Sequence, residues 1–404
     1  MRDMLPFVGV ALGGDMNCYG VARAFYEAYE IKTVMIGKMP IFPTANSKLL
    51  EKYYDADLMD DDVLIKKLTE VQEAHPGKKK FLFGCNDEYV RHITHNRERI
   101  EAISDEFIIP IIGEDLFNRL DDKDTFYAMC EEYGLPYPKS VYFDFGTQEY
   151  EDLEMPFEYP VFMKPTSNVV YDPFMFEGKQ KGYKIESEEQ LEKTIRMIKA
   201  AGYPGQFAIQ EYIEGDDESM YIFAAYTNTK GKVVAMTGSQ TLMHDRSPEL
   251  IGNYDAMCDA KDEAFCEKLK NFLEAIGMVG ICHFDVQWDK KRNDYVIYEI
   301  NIRQGRSNYF MTASGVNYAK LLVDDYIEGK DSPYFVADKP FIVSLVPRDM
   351  LIEAVGREKV ERVPEENYFR FTLAPYDKNW KNSRFQKKND KRTMEKFRKY
   401  NKHE

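Results

Sequence analysis

Two segments on either side of residue 290 constrain the fold of this chain more than any other feature. Apolar and polar side chains alternate with period two in residues 281–287 and again in residues 296–303, which is the pattern of β-strands. The mainly polar residues between them have the composition of a hairpin loop. A hairpin places Asp285 beside Glu299, so we expect antiparallel β-structure with two carboxylates on one face.

The side chains on this face predict chemistry rather than packing. Period two puts Glu299, Asn301 and Arg303 on the same face, and Asp285 on the same face as His283. Carboxylate and amide oxygens suit Mg²⁺, and a planar guanidinium suits a phosphate. An exposed polar strand face is the alternative. Unpaired charges are costly within otherwise apolar strands, which favours a metal–phosphate site.

Length and composition exclude several classes of protein. With 404 residues the chain can form two or three domains with their own cores. A net charge of −15 argues against general nucleic-acid binding. The six cysteines show no metal-type pairing, which indicates a reducing cytoplasm rather than a disulfide framework. We expect no secretory signal, and no apolar run reaches the roughly 18 residues that span a membrane.

The first 120 residues alternate between strand and helix patterns, which predicts a parallel sheet with helices on both faces. The expected strands are 7–12, 32–36 and 80–84, and the expected helices are 17–28, 61–74 and a helix from 87 onward.

Two turns at the carboxyl ends of these strands are candidate substrate-binding segments. Gly14 and Asp15 follow the first strand, where backbone N–H groups at a helix N-terminus can approach an anion. Packing of the turn explains the glycines about as well. Asn86 and Asp87 follow the third strand, and ligands of open α/β sheets bind at such ends. A role for Asp87 as a plain helix N-cap is an equal alternative.

The middle of the chain supplies the groups that phosphoryl transfer requires, namely cations, a metal bridge and a cover that excludes water. Lys123 and Lys164 stand at the boundaries of a helix and a buried strand. Residues 166–184 are predicted to form a hairpin or mobile loop that can close over phosphates with Lys179 or Lys181. The other expected elements are strands 159–165, 207–213, 220–227 and 233–237, and helices 121–133, 186–201 and 262–276.

A strand running into a turn at residues 211–213 leaves backbone groups available to an adenine edge, and Glu218 could then reach ribose hydroxyls.

Two other features have simpler interpretations. His92 and His95 have a spacing that could bind a metal, but without a third ligand nearby we expect a solvated face. The basic stretch from residue 378 onward is either a solvated helix or frayed tail, or a patch for an anionic partner such as a phosphorylated precursor or the inner membrane surface.

The order of these segments resembles the ATP-grasp superfamily over about residues 1–330. The matching segments are Lys123, Phe162-Met163-Lys164-Pro165, Gln210-Glu211-Tyr212-Ile213-Glu214-Gly215, Phe284-Asp285-Val286 and Tyr298-Glu299-Ile300-Asn301-Ile302-Arg303. Within the superfamily, the chain is similar to carboxylate–amine ligases of the D-aspartate ligase type. That finer resemblance rests on Gly13-Gly14-Asp15, Asn17-x-Tyr19-Gly20, Lys164-Pro165-x-Ser167-Asn168 and Phe176-Glu177-Gly178.

The resemblance implies a fold that mixes α/β and α+β structure. An N-terminal α/β pre-ATP-grasp domain (1–120) precedes the two ATP-grasp subdomains (121–207 and 208–335), of which the second carries the metal site. A small C-terminal extension with a basic tail (336–404) completes the chain.

The resemblance also implies a mechanism in which ATP phosphorylates a carboxylate and an amine then displaces phosphate. It assigns ATP binding to Lys123, Lys164, Lys179, Lys181, Glu211, Tyr212, Ile213 and Glu218. It assigns one or two Mg²⁺ ions to Asp285, Glu299 and Asn301, and the transferring phosphoryl group to Arg303. Many relatives carry an arginine where this chain has His283, so Arg246 or Arg306 could hold the acyl phosphate instead, and His283 could equally be a packed strand residue.

The implied substrates are an acidic D-amino acid and an amine acceptor, such as the lysine side chain of a UDP-linked cell-wall precursor. Whether the protein forms a homodimer is left open. The alternatives are another amide-forming ATP-grasp ligase, a nicotinamide-dependent oxidoreductase suggested by the first βα turn, and a nucleotide-binding module without turnover. The oxidoreductase alternative lacks the full glycine pattern and leaves the Asp285–Glu299–Asn301 set unexplained.

Overall fold

A computed structural model describes residues 5–166, 168–171, 173–245, 247, 253–305 and 309–400. The described chain forms three sheets, each with its own helices. Within these residues, no helix combines the length and the apolar character needed to cross a bilayer.

The N-terminal region is a five-stranded parallel sheet in the order β3-β2-β1-β4-β5, which confirms the expected α/β architecture. Every residue of β1 is buried, because helices cover both faces of the sheet. The edge strands β3 and β5 were not predicted, because one is half-buried and the other has two residues. The elements are β1 (Phe7–Leu12), α1 (Met16–Tyr29), β2 (Thr33–Gly37), β3 (Leu50–Tyr54), α2 (Asp61–Ala74), β4 (Lys79–Gly84), α3 (Asp87–His95), α4 (Arg97–Ile103), β5 (Phe107–Ile108) and α5 (Glu114–Asp121).

The second region is a small antiparallel sheet in the order β6-β9-β7-β8. Its core is aromatic: Phe207 is fully buried and its ring packs edge-on against those of Phe145, Tyr171 and Tyr203. Residues 166–184, expected to be a hairpin or mobile loop, contain a short helix before β8. The elements are α6 (Lys123–Glu132), β6 (Ser140–Asp144), β7 (Val161–Pro165), α7 (Asn168–Tyr171), β8 (Tyr183–Ile185), α8 (Glu188–Ala200) and β9 (Gln206–Glu211).

The third region is an eight-stranded sheet with the path β14-β13-β10-β11-β12-β16-β17, and β15 pairs with β11. The predicted hairpin is present as β13 and β14. The strands after residue 335 pair with this same sheet, which binds the C-terminal part to it. The elements are β10 (Met220–Thr227), β11 (Val233–Asp245), β12 (Asn253–Ala260), α9 (Glu263–Ala275), β13 (Gly280–Asp289), β14 (Asp294–Asn301), α10 (Tyr309–Ala313), α11 (Tyr318–Tyr326), β15 (Phe335–Val336), β16 (Ile342–Ser344), α12 (Arg348–Val355), α13 (Arg357–Glu361), β17 (Tyr368–Arg370) and α14 (Trp380–Tyr400).

Candidate active site

The β13–β14 hairpin brings two carboxylates and an amide together. Asp285 and Glu299 are direct cross-strand partners, as are His283 and Asn301. The Asn301 side-chain amide donates to Asp285 Oδ2 at 3.1 Å and approaches Glu299 Oε1 at 3.4 Å. Three oxygen-bearing side chains therefore converge at the end of the hairpin that leads away from its loop.

The electrostatics of this group suit a divalent cation. Burial, reinforced by the neighbouring Glu299 carboxylate, raises the pKa of Asp285 well above its ordinary value. The Lys123 ammonium holds the pKa of Glu299 well below its ordinary range. No cluster of three or more His, Cys, Asp or Glu suited to a metal occurs among the described residues, so the candidate ligand set is two carboxylates and the Asn301 amide. These hard oxygen donors fit Mg²⁺, whose charge would relieve the repulsion between the carboxylates.

Two lysines from the second region face the carboxylates. Lys123 donates to Glu299 Oε2 at 3.1 Å. Burial alone lowers the pKa of Lys123, but the Glu299 charge outweighs it and the net pKa is raised. Burial, together with Lys123, lowers the pKa of Lys164 to about 7, and its Nζ lies 5.6 Å from the centre of the Tyr298 ring. A bound anion such as a phosphate would stabilise the protonated, positively charged form of Lys164.

Arg303, two residues after the end of β14, contacts the N-terminal region. Its guanidinium donates to both oxygens of Asp87, with one N–O distance of 2.9 Å, and to Asn301 Oδ1 at 3.1 Å. The N-cap alternative for Asp87 is wrong, because the Asn86 carboxamide oxygen accepts from Tyr89 N at 2.8 Å and caps α3. Arg303 is therefore held over the carboxylates by a partner from another region.

His283 is packed beneath this segment. Burial, then the nearby Arg303 charge, lowers its pKa to about 3. A Cβ at Gly305 would come within 2.6 Å of His283 Cε1, so the chain crosses the imidazole closely. A neutral packed histidine accounts for this residue without a catalytic role. The alternative acyl-phosphate ligands, Arg246 and Arg306, lie outside the described residues.

The expected nucleotide-binding segment lies at the junction of the second and third regions. The Glu211 carboxylate accepts from Lys139 N at 2.7 Å and contacts Arg292, so its side chain is already engaged. The Ile213 carbonyl accepts from the Gln287 side chain at 3.1 Å.

The remaining residues assigned to ATP also have protein partners. The Tyr212 ring lies 4.6 Å from Lys184 Nζ, and Glu218 forms an ion pair with Lys359 of α13. Lys179 donates to the Tyr171 carbonyl at 3.1 Å. Lys181 lies close enough to Lys164 to contribute to the lowering of its pKa.

A cavity of about 290 Å³ opens at the carboxyl ends of β1, β2 and β4. Gly14, Asp15 and Asn86, three of the residues predicted to bind substrate, line it, and that role stays a prediction. Asp15 also N-caps α1, accepting from Asn17 N at 3.0 Å and Cys18 N at 3.3 Å. The Asp15 carboxylate therefore occupies the N-terminus of α1, where an anionic ligand was expected. The full lining is Gly13, Gly14, Asp15, Lys38, Met39, Ile41, Cys85, Asn86 and Tyr89.

Two residues of the site were missed in the sequence. Lys38 follows β2, and the rule that ligands bind at the carboxyl ends of parallel strands could have found it. Tyr254 donates to Asp285 Oδ1 at 3.1 Å, and it lies on β12, a strand that was not predicted. No local pattern marks it, because it reaches the site only through sheet pairing.

The histidine pair of α3 differs from the expected solvated face. His92 is buried, and its Nδ1 lies 3.3 Å from Asp61 Oδ1 at the start of α2. Burial lowers the pKa of His92. His95 is exposed, as expected. The pair therefore links two helices.

Comparisons with known proteins agree with this geometry, although no family model matches the chain. The chain is 32% identical over 370 residues to the D-aspartate ligase of Enterococcus faecium (strain Aus0004), an alignment that covers 89% of this chain and 87% of that protein. The N5-carboxyaminoimidazole synthetase of Staphylococcus aureus is similar in fold, with a TM-score of 0.60 at 13% identity, covering 89% of this chain and 88% of the other.

The biotin carboxylase domain of the 2-oxoglutarate carboxylase of Hydrogenobacter thermophilus, solved with ADP and magnesium, also has this fold. Its TM-score is 0.59 at 15% identity, covering 83% of this chain and 74% of that one. The first relative is close enough over its length to establish kinship, and the two structures establish the fold. The chain therefore belongs to the D-aspartate ligase family of ATP-grasp proteins, which are ATP-dependent ligases that form carbon–nitrogen bonds.

Proposed function

We propose that this protein joins the carboxylate of an acidic amino acid, with D-aspartate as the first candidate, to an amine of a peptidoglycan precursor. The observation that carries the proposal is the convergence of Asp285, Glu299 and Asn301 with Lys123 and Lys164 at the end of one hairpin. The D-aspartate ligase relative supports the identity of the donor.

In the proposed reaction, a donor carboxylate oxygen attacks the γ-phosphorus of ATP, and the bond to the bridging oxygen breaks to release ADP. The amine nitrogen then attacks the acyl phosphate carbon, phosphate leaves and the nitrogen loses a proton. Lys123 and Lys164 neutralise phosphate charge, and Arg303 holds the transferring group. One or two Mg²⁺ ions at Asp285, Glu299 and Asn301 would screen the charge between nucleotide and carboxylate.

The cavity beside Asn86 is the proposed donor subsite. Its volume lies at the lower end of the range for ligand pockets, which suits a small molecule. Lys38 forms no ion pair among the described residues and could bind a side-chain carboxylate, while Asp15 could bind the donor ammonium. Asp87, next to Asn86, contacts Arg303, which connects this cavity to the phosphoryl-transfer centre.

ADP release from ATP and Mg²⁺ tests the function, screened across D- and L-amino acids with and without a UDP-muramyl pentapeptide. Release that requires D-aspartate and the precursor supports the proposal. Release with another acid–amine pair retains the ligase chemistry and replaces the substrates. Absence of release with every pair, in protein that still binds ATP, would refute these substrates.

The donor subsite has its own test. Lys38→Met should raise the KM for the acidic donor at least about tenfold, because a charge-assisted hydrogen bond of roughly 1.5–3 kcal/mol is lost. The KM for ATP should not change. Lys32→Met removes another exposed lysine of the same region and is the matched control. An unchanged donor KM in Lys38→Met would exclude Lys38 from the subsite.

A further inference from the structure

Helix α14 concentrates positive charge on one face of an acidic protein. The exposed cations recur at helical spacing, three or four residues apart, and share the face opposite the buried one. Glu395 is the acidic residue on this face, and its carboxylate lies 3.7 Å from Lys391. The cationic face consists of Lys381, Arg384, Lys387, Lys388, Lys391, Arg392, Arg398 and Lys399.

The opposite face of α14 is fixed to the protein. Gln386 and Asp390 are buried, and Asp390 forms an ion pair with Arg370 of β17. Met394 packs into an apolar cluster beneath the helix, and Lys396 bonds Asp245 at 3.2 Å. The helix therefore presents its cations to solvent as a rigid row.

Most of these cations lack an acidic partner. Arg398 pairs with Glu353 at 2.6 Å, and Lys391 pairs with Glu395. Five other cations of this face form no ion pair with described residues. Five unpaired members lie together: Lys381, Arg384, Lys387, Lys388 and Arg392. A helix that is merely solvated would not require its positive charges to gather on one face, least of all in a chain whose net charge is −15.

Exposed apolar side chains border the cationic face. Trp380 is 70% exposed and Phe385 49% exposed, both on α14. The Phe385 ring stacks at 6.2 Å on Phe42, in a loop that exposes Met39 (61%) and Ile41 (39%). An indole and a phenyl ring beside a row of cations are typical of surfaces that lie on the headgroup region of a bilayer.

We propose that α14 and the loop at residues 39–42 form a peripheral docking surface for an anionic lipid bilayer. Its cations contact the headgroups and Trp380 enters the interface, while the protein stays outside the hydrocarbon core. Met39 and Ile41 also line the cavity at Asn86, so the bilayer would lie beside the mouth of the proposed donor subsite. This docking goes beyond the ligase activity and does not depend on which amide is formed.

Trp380 offers a direct reporter, because the chain has two tryptophans and the other, Trp288, can be replaced by Phe. We expect the Trp288→Phe protein to co-sediment with vesicles of phosphatidylcholine and phosphatidylglycerol, with a blue shift in Trp380 emission. Pure phosphatidylcholine vesicles should bind much more weakly. The interaction should weaken sharply as salt is raised to about 0.5 M, where charges are screened.

The charge requirement is tested by the variant K387Q/K388Q/K391Q/R392Q in the Trp288→Phe background. Its vesicle affinity should fall by on the order of 600-fold, since four cations are removed and each cation near an anionic surface contributes about a factor of five. The control K66Q/K193Q/K290Q/K291Q removes the same charge from exposed lysines elsewhere and should retain binding. Equal loss in both variants, or no binding by the parent, would overturn the proposal.

A soluble-acceptor assay separates this surface from a precursor-binding site. If the bilayer is the partner, the α14 variant keeps the parent KM for a soluble cell-wall precursor while it loses vesicle binding. A raised precursor KM in a variant that still binds vesicles would instead assign the cations to the acceptor. Failure of the ligase assay would leave the vesicle result unaffected, so the two proposals fail independently.

Discussion

Glu299→Gln and Asp285→Asn should change stability differently although the residues are neighbours. In the metal-free protein the Glu299 carboxylate neutralises Lys123, whose ammonium lies 3.1 Å away. Replacing it with an amide removes the carboxylate that pairs with Lys123, and the repulsion between Lys123 and Lys164 is then less well compensated. Asp285 is in the opposite situation, because burial and Glu299 raise its pKa and disfavour its charge. Asparagine there has nearly the same shape and cannot carry the disfavoured charge.

The exposure of the ion pair sets the size of the effect. Breaking a buried ion pair costs about 3–5 kcal/mol, and exposed pairs contribute about 0.2–1 kcal/mol. The Lys123 and Glu299 side chains are 18% and 44% exposed, so screening by solvent reduces the cost of Glu299→Gln to about 1–2 kcal/mol. For unfolding of the whole 404-residue chain, that corresponds to a Tm lowered by roughly 1–2 °C. Asp285→Asn should leave the Tm unchanged or raise it.

Thermal unfolding in the presence of a magnesium chelator measures this difference. The control Glu263→Gln removes a surface carboxylate 2.8 Å from Lys261 and should not change the Tm. Both active-site variants should lose at least about 100-fold in Mg²⁺-dependent ADP release, because each removes a proposed metal ligand. Equal Tm values for the two variants, or a lower Tm for Asp285→Asn, would refute the charge assignments.

Three further predictions concern other parts of the molecule. Lys164→Gln should raise the KM for ATP at least about tenfold, since it removes a cation that needs an anionic partner; an unchanged KM would exclude Lys164 from nucleotide binding. Arg303→Lys and Asp87→Asn should each lower kcat, and the double variant should lose less than the product of the two, because the residues act through one contact; independent effects would argue against it. Phe207→Ala should cost about 3–5 kcal/mol in urea unfolding, whereas Met175→Ala, which is 83% exposed, should have no effect.

Much of the fold could be predicted because its signals are local. Helix α2 and strand β10 have the predicted bounds, since a 3.6-residue or two-residue apolar period survives any tertiary arrangement. The hairpin at residue 290 was predicted for the same reason, and with it the pairing of Asp285 and Glu299. The edge strands β3 and β5 were missed, because one is half-buried and the other has only two residues, and β12 was missed although it pairs with the preceding strand β11.

The same difference between local signals and contacts of distant segments applies to the candidate site. Alternation along β14 determined that Glu299 and Asn301 share a face, and the hairpin added Asp285, while Arg303 lies just past the end of the strand. Local sequence could not show that Arg303 contacts Asp87, because 216 residues separate them.

Tertiary structure also decided which predicted roles are available to side chains. In the folded protein Glu218 forms an ion pair with Lys359, and Lys38 lines the cavity. His283 packs beneath the segment that contains Gly305. The sequence by itself determined strand and helix periods and the residue types that suit magnesium and phosphate, because these depend on neighbours along the chain. Only the tertiary structure decided the charge partners and the exposed cationic face, because both depend on which distant segments lie next to each other.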